Sequence, residues 1–340
     1  YEPIMVMLYD RDSIGQIIKL SEYIRKLFNY EPKGMWLAER IWEPHLAKPI
    51  SEAGVEYTIV DDLPFKSAGL FEEELFGYYL TEEQGHPLKI FPINEKLRFL
   101  IPFQPIEEVI SYFKSQATEK EEILAVMADD GEKFGIWPGT HELVYRQNWL
   151  EQFFSELEKN REWIKTFTFS EYVAEFPPKG RIYLPTGSYS QMMEWVLPTR
   201  ARKEFTDIQR EIEKLPQSER YARFLKGGFW RNFFVKYPES NWMQKKMLLV
   251  SNKIFRAFQN LHAWESADNK RGNKLSAKSK EQIMEPPDWL EKARDELWKG
   301  QCNCAYWHGV FGGLYFPHLR KATYEHLINA EKIVDDKSHS

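Results

Sequence analysis

The chain has 340 residues, 43% hydrophobic and 15% aromatic, enough for one large domain or two and for a sizeable core. Lys and Arg number 46 against 51 Asp and Glu, and the resulting net charge of −5 argues against a general polyanion binder. Two cysteines exclude a disulfide scaffold and fit a reducing compartment, and no apolar run reaches the about 18 residues of a membrane span, so a cytoplasmic protein with no membrane partner is expected.

In chain order, Ile14, Ile17, Ile18, Ile24, Leu27 and Phe28 fall on one stripe of a helix over 13–28, with Asp12 or Ser13 as its N-cap. A short strand follows at 35–38, then a helix over about 44–53 that Gly54 stops. Tyr57-Thr58-Ile59-Val60 reads as a strand running into Asp61 and Asp62. Residues 88–93 and 98–102 read as two extended segments or a hairpin, and 106–116 as a helix with Ile106, Val109, Ile110 and Phe113 on one face. Ile123-Leu124-Ala125-Val126-Met127 is the strongest buried-strand pattern in the chain and ends in Asp129-Asp130. A helix over 141–159 and strands near 164–169 and 181–184 complete this half. Beyond residue 190 only helical patterns remain, at roughly 198–215, 218–226, 240–262 and 318–333, with a polar stretch over 264–287 that reads as a loop. Basic residues outnumber acidic ones over 199–285, which reads as a solvated helical surface rather than a nucleic-acid site. The chain is thus a βα half followed by a helical half. About six strand candidates are too few for a closed eight-stranded (β/α) barrel, so either the sheet is open or the chain starts after the barrel has begun.

In parallel α/β folds chemistry sits just beyond the C-terminal ends of the strands. Two strand ends here carry carboxylates: Glu39 after Trp36-Leu37-Ala38, and Asp129, Asp130 and Glu132 after 123–127. A facing carboxylate pair suits glycoside cleavage, where one group protonates the leaving oxygen and the other attacks or activates water at the anomeric carbon. Such residues also serve as helix caps and ion-pair partners: Asp129 or Asp130 capping the next turn, Glu39 paired with Arg40. Trp36, Trp42, Phe134 and Trp137 lie close by in sequence, and a third aromatic cluster runs from Asn303 through Trp307 and His308 to Gly313. Aromatic planes of this kind either pack a core or stack on sugar rings. Cys302, Cys304 and His308 fall short of a four-ligand zinc set, and the dinucleotide, phosphate-loop and GxSxG patterns are absent.

The stretch Gly34-Met35-Trp36-Leu37-Ala38-Glu39-Arg40-Ile41-Trp42-Glu43-Pro44 resembles the third conserved region of glycoside hydrolase family 57. Ala128 to Gly139 resembles its fourth region and Gln301 to Gly313 its fifth, with further similarity at Val60-Asp61-Asp62, Phe91-Pro92-Ile93, Glu95 to Arg98 and Lys236 to Asn241. Within the family the similarity is greatest to the 4-α-glucanotransferase and α-amylase group. The resemblance implies an α/β fold, an incomplete (β/α)7 TIM-like barrel, followed by a helical bundle, with residues 1–190 as a partial catalytic barrel and 191–335 as a bundle completing the cleft. It implies retaining 4-α-glucanotransferase chemistry on α-1,4-glucans or maltooligosaccharides, an α-amylase-type hydrolase or a non-catalytic glucan-binding fragment being the alternatives, with no cofactor, no metal and no nucleic-acid partner, and a homodimer as an open expectation. Glu39 matches the family nucleophile and Asp130 its general acid/base, while Trp36, Glu132, Trp137 and Trp307 match positions lining the sugar cleft. A raised Asp130 pKa is expected from burial and from neighbouring Glu39 and Glu132. The family's first two regions are absent, and Tyr1-Glu2-Pro3 is similar to sequence just after the second, so an N-terminally truncated barrel and a missing C-terminal β-sandwich are expected. Cys304 stands where relatives carry an aspartate facing substrate, which removes a charge from the expected cleft.

Overall fold

The computed structural model describes residues 1–118, 122–272 and 286–338, which form two compact units. One comprises 28–190 and 207–226, and the other 1–27, 191–206 and 227–340. Packing thus divides the chain differently from a single boundary at residue 190. The first 27 residues group with the helical segments because they are pinned there. Pro3 bridges Cys302, and Asn303 N–H donates to the Glu2 carbonyl at 3.1 Å. Residues 207–226 group with the sheet, where the Arg223 guanidinium lies 4.0 Å from the centre of the Phe71 ring.

The first unit is α/β. Its five strands are β1 (Gly34–Trp36), β2 (Tyr57–Asp61), β3 (Tyr79–Glu83), β4 (His86–Ile93) and β5 (Gly180–Arg181), in the spatial order β1-β2-β4-β3-β5. β1, β2 and β4 run parallel, with Trp36 opposite Ile59 and Asp61 opposite Ile93. β3 pairs antiparallel with β4 through the two-residue turn Gln84-Gly85, both at positive φ, which is the hairpin geometry that matches strand twist. The expected pairing of 88–93 with 98–102 is therefore replaced. Residues Glu95–Leu100 are helical, because the Asn94 side chain caps them by accepting from Leu97 N–H at 3.0 Å. Leu97 and Ile101 then share one face and bury against Ile106, Val109 and Trp149.

Residues 123–127 are half-buried to buried, as their pattern predicts, yet they join no ladder. Leu124 and Val126 pack with Tyr57, Phe91, Ile93 and Tyr172, whereas Ala125 and Met127 pack on the opposite side with the Leu97–Val109 cluster. Alternation to two cores is strand-like, but a ladder needs successive paired bonds, whereas this segment is tied to the end of β4 by Asn94 N–H donating to Val126 C=O at 2.8 Å. Residues 164–168 likewise form no strand, and 181–184 contribute only Arg181 to β5. The expected helix over 141–159 is a π-turn, Glu142–Arg146, and a helix, Trp149–Lys159, separated by left-handed Asn148.

The second unit is helical. Met243, Met247, Val250 and Ile254 are buried on Pro238–Gly272, Leu290, Ala293 and Leu297 on Asp288–Lys299, and Leu327, Ala330 and Val334 on Pro317–Ser338. All three follow the spacing of one helical face. The polar stretch expected as a loop is helical through Gly272 and without helix or strand at Pro286-Pro287, and 273–285 lie outside the described residues. The first helix begins at Asp10, two residues before its expected cap. Its buried face is polar: the Asp12 carboxylate accepts from Ser251 Oγ at 2.6 Å and from Gln301 Nε2 at 3.0 Å. Ile18, Leu27 and Phe28 on the expected apolar stripe are exposed instead. Among the described residues no helix is long and apolar enough to cross a membrane.

Candidate active site

Parallel pairing brings the C-terminal ends of β1 and β2 to one edge of the sheet, and the charged residues that follow them meet there. After Trp36 the chain turns sharply through Glu39 (φ 52°) and Arg40 (φ 51°), two consecutive non-glycine residues in the left-handed region. Each such residue costs on the order of 1–3 kcal/mol and persists only where the surroundings hold it. Here the segment 187–189 does so. Trp42 and Gly187 exchange backbone bonds of 2.8 and 3.0 Å, and Ser188 Oγ donates to the Glu39 carbonyl at 2.7 Å. The Tyr189 hydroxyl donates to Glu39 Oε2 at 2.9 Å.

Arg40 turns inward. Its guanidinium sits 4.1 Å from the centre of the Tyr189 ring and 3.5 Å from the carboxylate of buried Asp61, at the end of β2. Arg98, on the helix that Asn94 caps, lies 3.8 Å from the same Asp61 oxygen and donates to Asp129 at 3.2 Å. Lys133 completes the cluster with a 2.5 Å contact to Asp129 and a bond to the Arg98 carbonyl. Asp129 therefore serves as the ion-pair anchor, and its Oδ1 also accepts from Asp130 N–H at 3.0 Å. Burial raises the Asp129 pKa, but bonds from Lys133 and Arg98 outweigh it and hold the carboxyl below its ordinary value. Asp130 goes the opposite way. Burial, and then the Asp129 charge, raise its pKa, against opposition from Arg40 and Arg98. Glu132 adds a smaller push, and Asp129 takes the part expected of Glu39. The pKa values of two adjacent carboxyls are thus shifted in opposite directions, Asp129 down and Asp130 up, the pattern that separates an acid from a permanent charge.

Burial first, then the negative charges of Glu39 and Asp130, keep the Tyr189 hydroxyl protonated far above its ordinary range, against the opposing Arg40 cation. Trp36 is exposed beside this cluster, 5.9 Å from Arg40. Trp137 stacks on exposed Phe103 at 6.4 Å and 14°, and Glu132 is exposed on the intervening turn. Trp307 and Cys304 belong to the helical unit. Trp307 is half-buried against Trp195 at 6.4 Å and Phe233 at 6.1 Å, and Cys304, like Cys302, is exposed and forms no disulfide. His308 Nδ1 faces the Gly312 carbonyl at 2.9 Å. Sequence reasoning missed Ser188, Tyr189, Lys133 and Phe103 as parts of the site. Tyr189 is 150 positions from Glu39, so spacing carries no signal for that pair.

Residues 1–185 match the profile of glycosyl hydrolase family 57. The chain belongs to this family. Residues 228–274 and 269–334 match the family-associated middle domain of α-amylase/4-α-glucanotransferase. The chain is 48% identical over 336 residues to the α-amylase 1 of Dictyoglomus thermophilum, covering 99% of this chain and 45% of that one. It is 44% identical over 332 residues to the 4-α-glucanotransferase of Thermococcus litoralis, again covering 98% of this chain and 45% of the relative. The crystal structure of the Thermococcus litoralis enzyme superimposes with a TM-score of 0.83 over 97% of the chain and 46% of the neighbour. The α-amylase AmyC of Thermotoga maritima, at 13% identity and a TM-score of 0.62, shares the fold. The chain therefore spans less than half the length of the curated family-57 relatives it matches.

Proposed function

We propose that this chain carries the catalytic carboxylates of a retaining 4-α-glucanotransferase acting on α-1,4-glucans, with Glu39 as nucleophile and Asp130 as general acid/base. The observation carrying this reading is the cluster at one sheet edge. Glu39 is held on a strained turn and accepts a hydrogen bond from Tyr189, while Asp130 has its pKa raised with Arg40 acting against the rise. In the first step the Glu39 carboxylate attacks the anomeric carbon, that carbon's bond to the glycosidic oxygen breaks, and the Asp130 proton passes to the departing oxygen. In the second, Asp130 takes the proton of an incoming sugar hydroxyl as that oxygen displaces Glu39. None of these steps needs a cofactor. Trp36, Glu132 and Trp137 supply saccharide contacts in this reading, and Trp307 and Cys304 are proposed as saccharide contacts of the helical unit. The stack of half-buried Trp137 on exposed Phe103 supports a sugar platform, because an exposed aromatic plane is matched by the C–H face of a sugar ring. The two cysteines, in no disulfide, fit the cytoplasmic location proposed with it.

A second reading, an α-amylase-type hydrolase, is favoured by relatives named α-amylase, one of them 48% identical. The product profile from maltoheptaose separates the two, using the complete protein that contains this chain. Longer and shorter maltooligosaccharides formed together support transfer, and short products alone support hydrolysis. Glu39→Gln is expected to lower turnover by a factor of at least about 10³, the scale seen when an enzyme loses its nucleophile. Full activity of that variant removes Glu39 from its role.

A further inference from the structure

We infer that Ser188 and Tyr189 form a positioning clamp that holds Glu39 ready for attack, with Tyr189 fixing one carboxylate oxygen and Ser188 fixing the strained backbone beneath it. The inference rests on the catalytic reading of Glu39 given above and extends it to residues no sequence motif marks. Three observations carry it. The turn at Glu39 and Arg40 is unfavourable on its own, since two successive side chains occupy left-handed backbone. Beside the turn's own backbone bonds, one distant segment holds it: Gly187 pairs with Trp42, Ser188 Oγ donates to the Glu39 carbonyl, and the Tyr189 hydroxyl donates to Glu39 Oε2. Tyr189 is itself immobilised. It is 7% exposed, and its ring lies on the Arg40 guanidinium, which is ion-paired to Asp61.

A buried phenol that donates to a carboxylate does two things. It fixes the oxygen geometry within the tolerance attack demands, where a misplacement of about 1 Å costs about a hundredfold in rate. It also stabilises the ionised carboxylate, because a neutral acid accepts that bond less strongly. When Glu39 becomes an ester the bond weakens, and when the ester is displaced and the carboxylate re-forms the bond returns. Tyr189 therefore favours departure of Glu39 in the second step, with its own proton staying on the phenol throughout.

Tyr189→Phe keeps the ring on Arg40 and removes only the hydroxyl. In the complete protein with maltoheptaose, kcat/KM is expected to fall about 10- to 100-fold, the scale of a hydrogen bond to a charged group, with the loss in kcat rather than KM. The acid limb of the kcat/KM profile, where Glu39 must be ionised, is expected to rise by about one pH unit. A merely structural role would leave that limb in place. Ser188→Ala is expected to lower kcat by a smaller factor and leave the acid limb unmoved, since that hydroxyl touches backbone. Wild-type kcat and acid limb in Tyr189→Phe, measured where Glu39→Gln is inactive, overturn the clamp and leave the catalytic reading standing. Activity retained in Glu39→Gln overturns the catalytic reading instead. Should Tyr189→Phe not fold by circular dichroism, unchanged kcat in Ser188→Ala overturns the clamp.

Discussion

Asp129 and Asp130 are chemically identical neighbours with opposite fates, and the difference lies in what each faces. Asp129 is enclosed by Arg98 and Lys133 and stays ionised. Asp130 feels that fixed negative charge from one residue away, and its pKa rises. Asp129→Asn removes the like charge and leaves Arg98 and Lys133 acting on Asp130, so the Asp130 pKa falls. In the complete protein the basic limb of the kcat/KM profile, where Asp130 as the proposed general acid must be protonated, is expected to move to lower pH. An unmoved or raised limb contradicts the account. Breaking a buried ion pair on one side costs about 3–5 kcal/mol, so the same variant is expected to unfold at lower temperature, and its profile is taken below that midpoint. The sequence displayed both aspartates but could not distinguish them, because the discriminating cations come from positions 98 and 133. It also suggested Glu39 paired with Arg40, whereas the guanidinium turns to Asp61 on the next strand.

Among the elements, the helix Glu95–Leu100 and the extended segment 123–127 show how local pattern and packing diverge. The segment 98–102 carries enough apolar residues to pass for a strand. Asn94 decides otherwise by capping at Leu97 N–H, while its amide also donates to the Tyr112 hydroxyl at 2.6 Å. The same residue's backbone N–H ties Val126 to the end of β4, so one position sets both the helix carrying Arg98 and the approach of the chain to Asp129. Asn94→Ala keeps the backbone tie and loses the cap, and is expected to cost about 1–2 kcal/mol in urea unfolding. A loss below about 0.3 kcal/mol would show that packing alone holds this helix. β3 escaped notice for a related reason. Tyr79-Leu80-Thr81-Glu82-Glu83 alternates buried and half-buried residues, but its partner β4 is specified across the Gln84-Gly85 turn. Gly34 was visible as a glycine but not as a contact: a methyl group built there would lie 1.9 Å from the Tyr57 ring, which explains why β1 starts with a residue that lets β2 approach.

At the scale of the whole molecule, buried carboxyls set the response to pH. Asp62 is buried beside Asp61, and burial first, then that charge, push its pKa up to about 7 despite Lys66 at 2.9 Å. Glu95 is raised for the same reasons, burial and then Asp62. A carboxyl whose folded pKa lies above its unfolded value near 3.8 binds a proton more tightly in the folded state. Stability is then greatest at and below the unfolded pKa and falls as pH rises toward the folded one. The carboxyls with lowered pKa, such as Asp129, Asp295 and Glu331, act in the opposite sense but complete their change at lower pH. The thermal midpoint of the sheet unit is therefore expected to fall between about pH 4.5 and pH 7. Asp62→Asn is expected to flatten this slope, and an undiminished slope, followed by calorimetry, refutes the assignment.

By itself the sequence determined the α/β-then-helical order, the helix at Ile106–Gln116, strands at 57–60 and 88–93, and the family, because those rest on short-range periodicity and on contiguous motifs. Contiguity also marked Glu39 and Asp130 as candidates. Tertiary structure decided what surrounds them. Tyr189 approaches Glu39 across 150 positions, Arg98 joins Asp61 to Asp129, and the first helix buries Asp12 rather than its apolar stripe. The physical reason is common to all three. A buried charge or strained backbone is tolerated only where distant groups satisfy it, and the free energy of those partnerships depends on distance and desolvation, which local order along a chain does not encode.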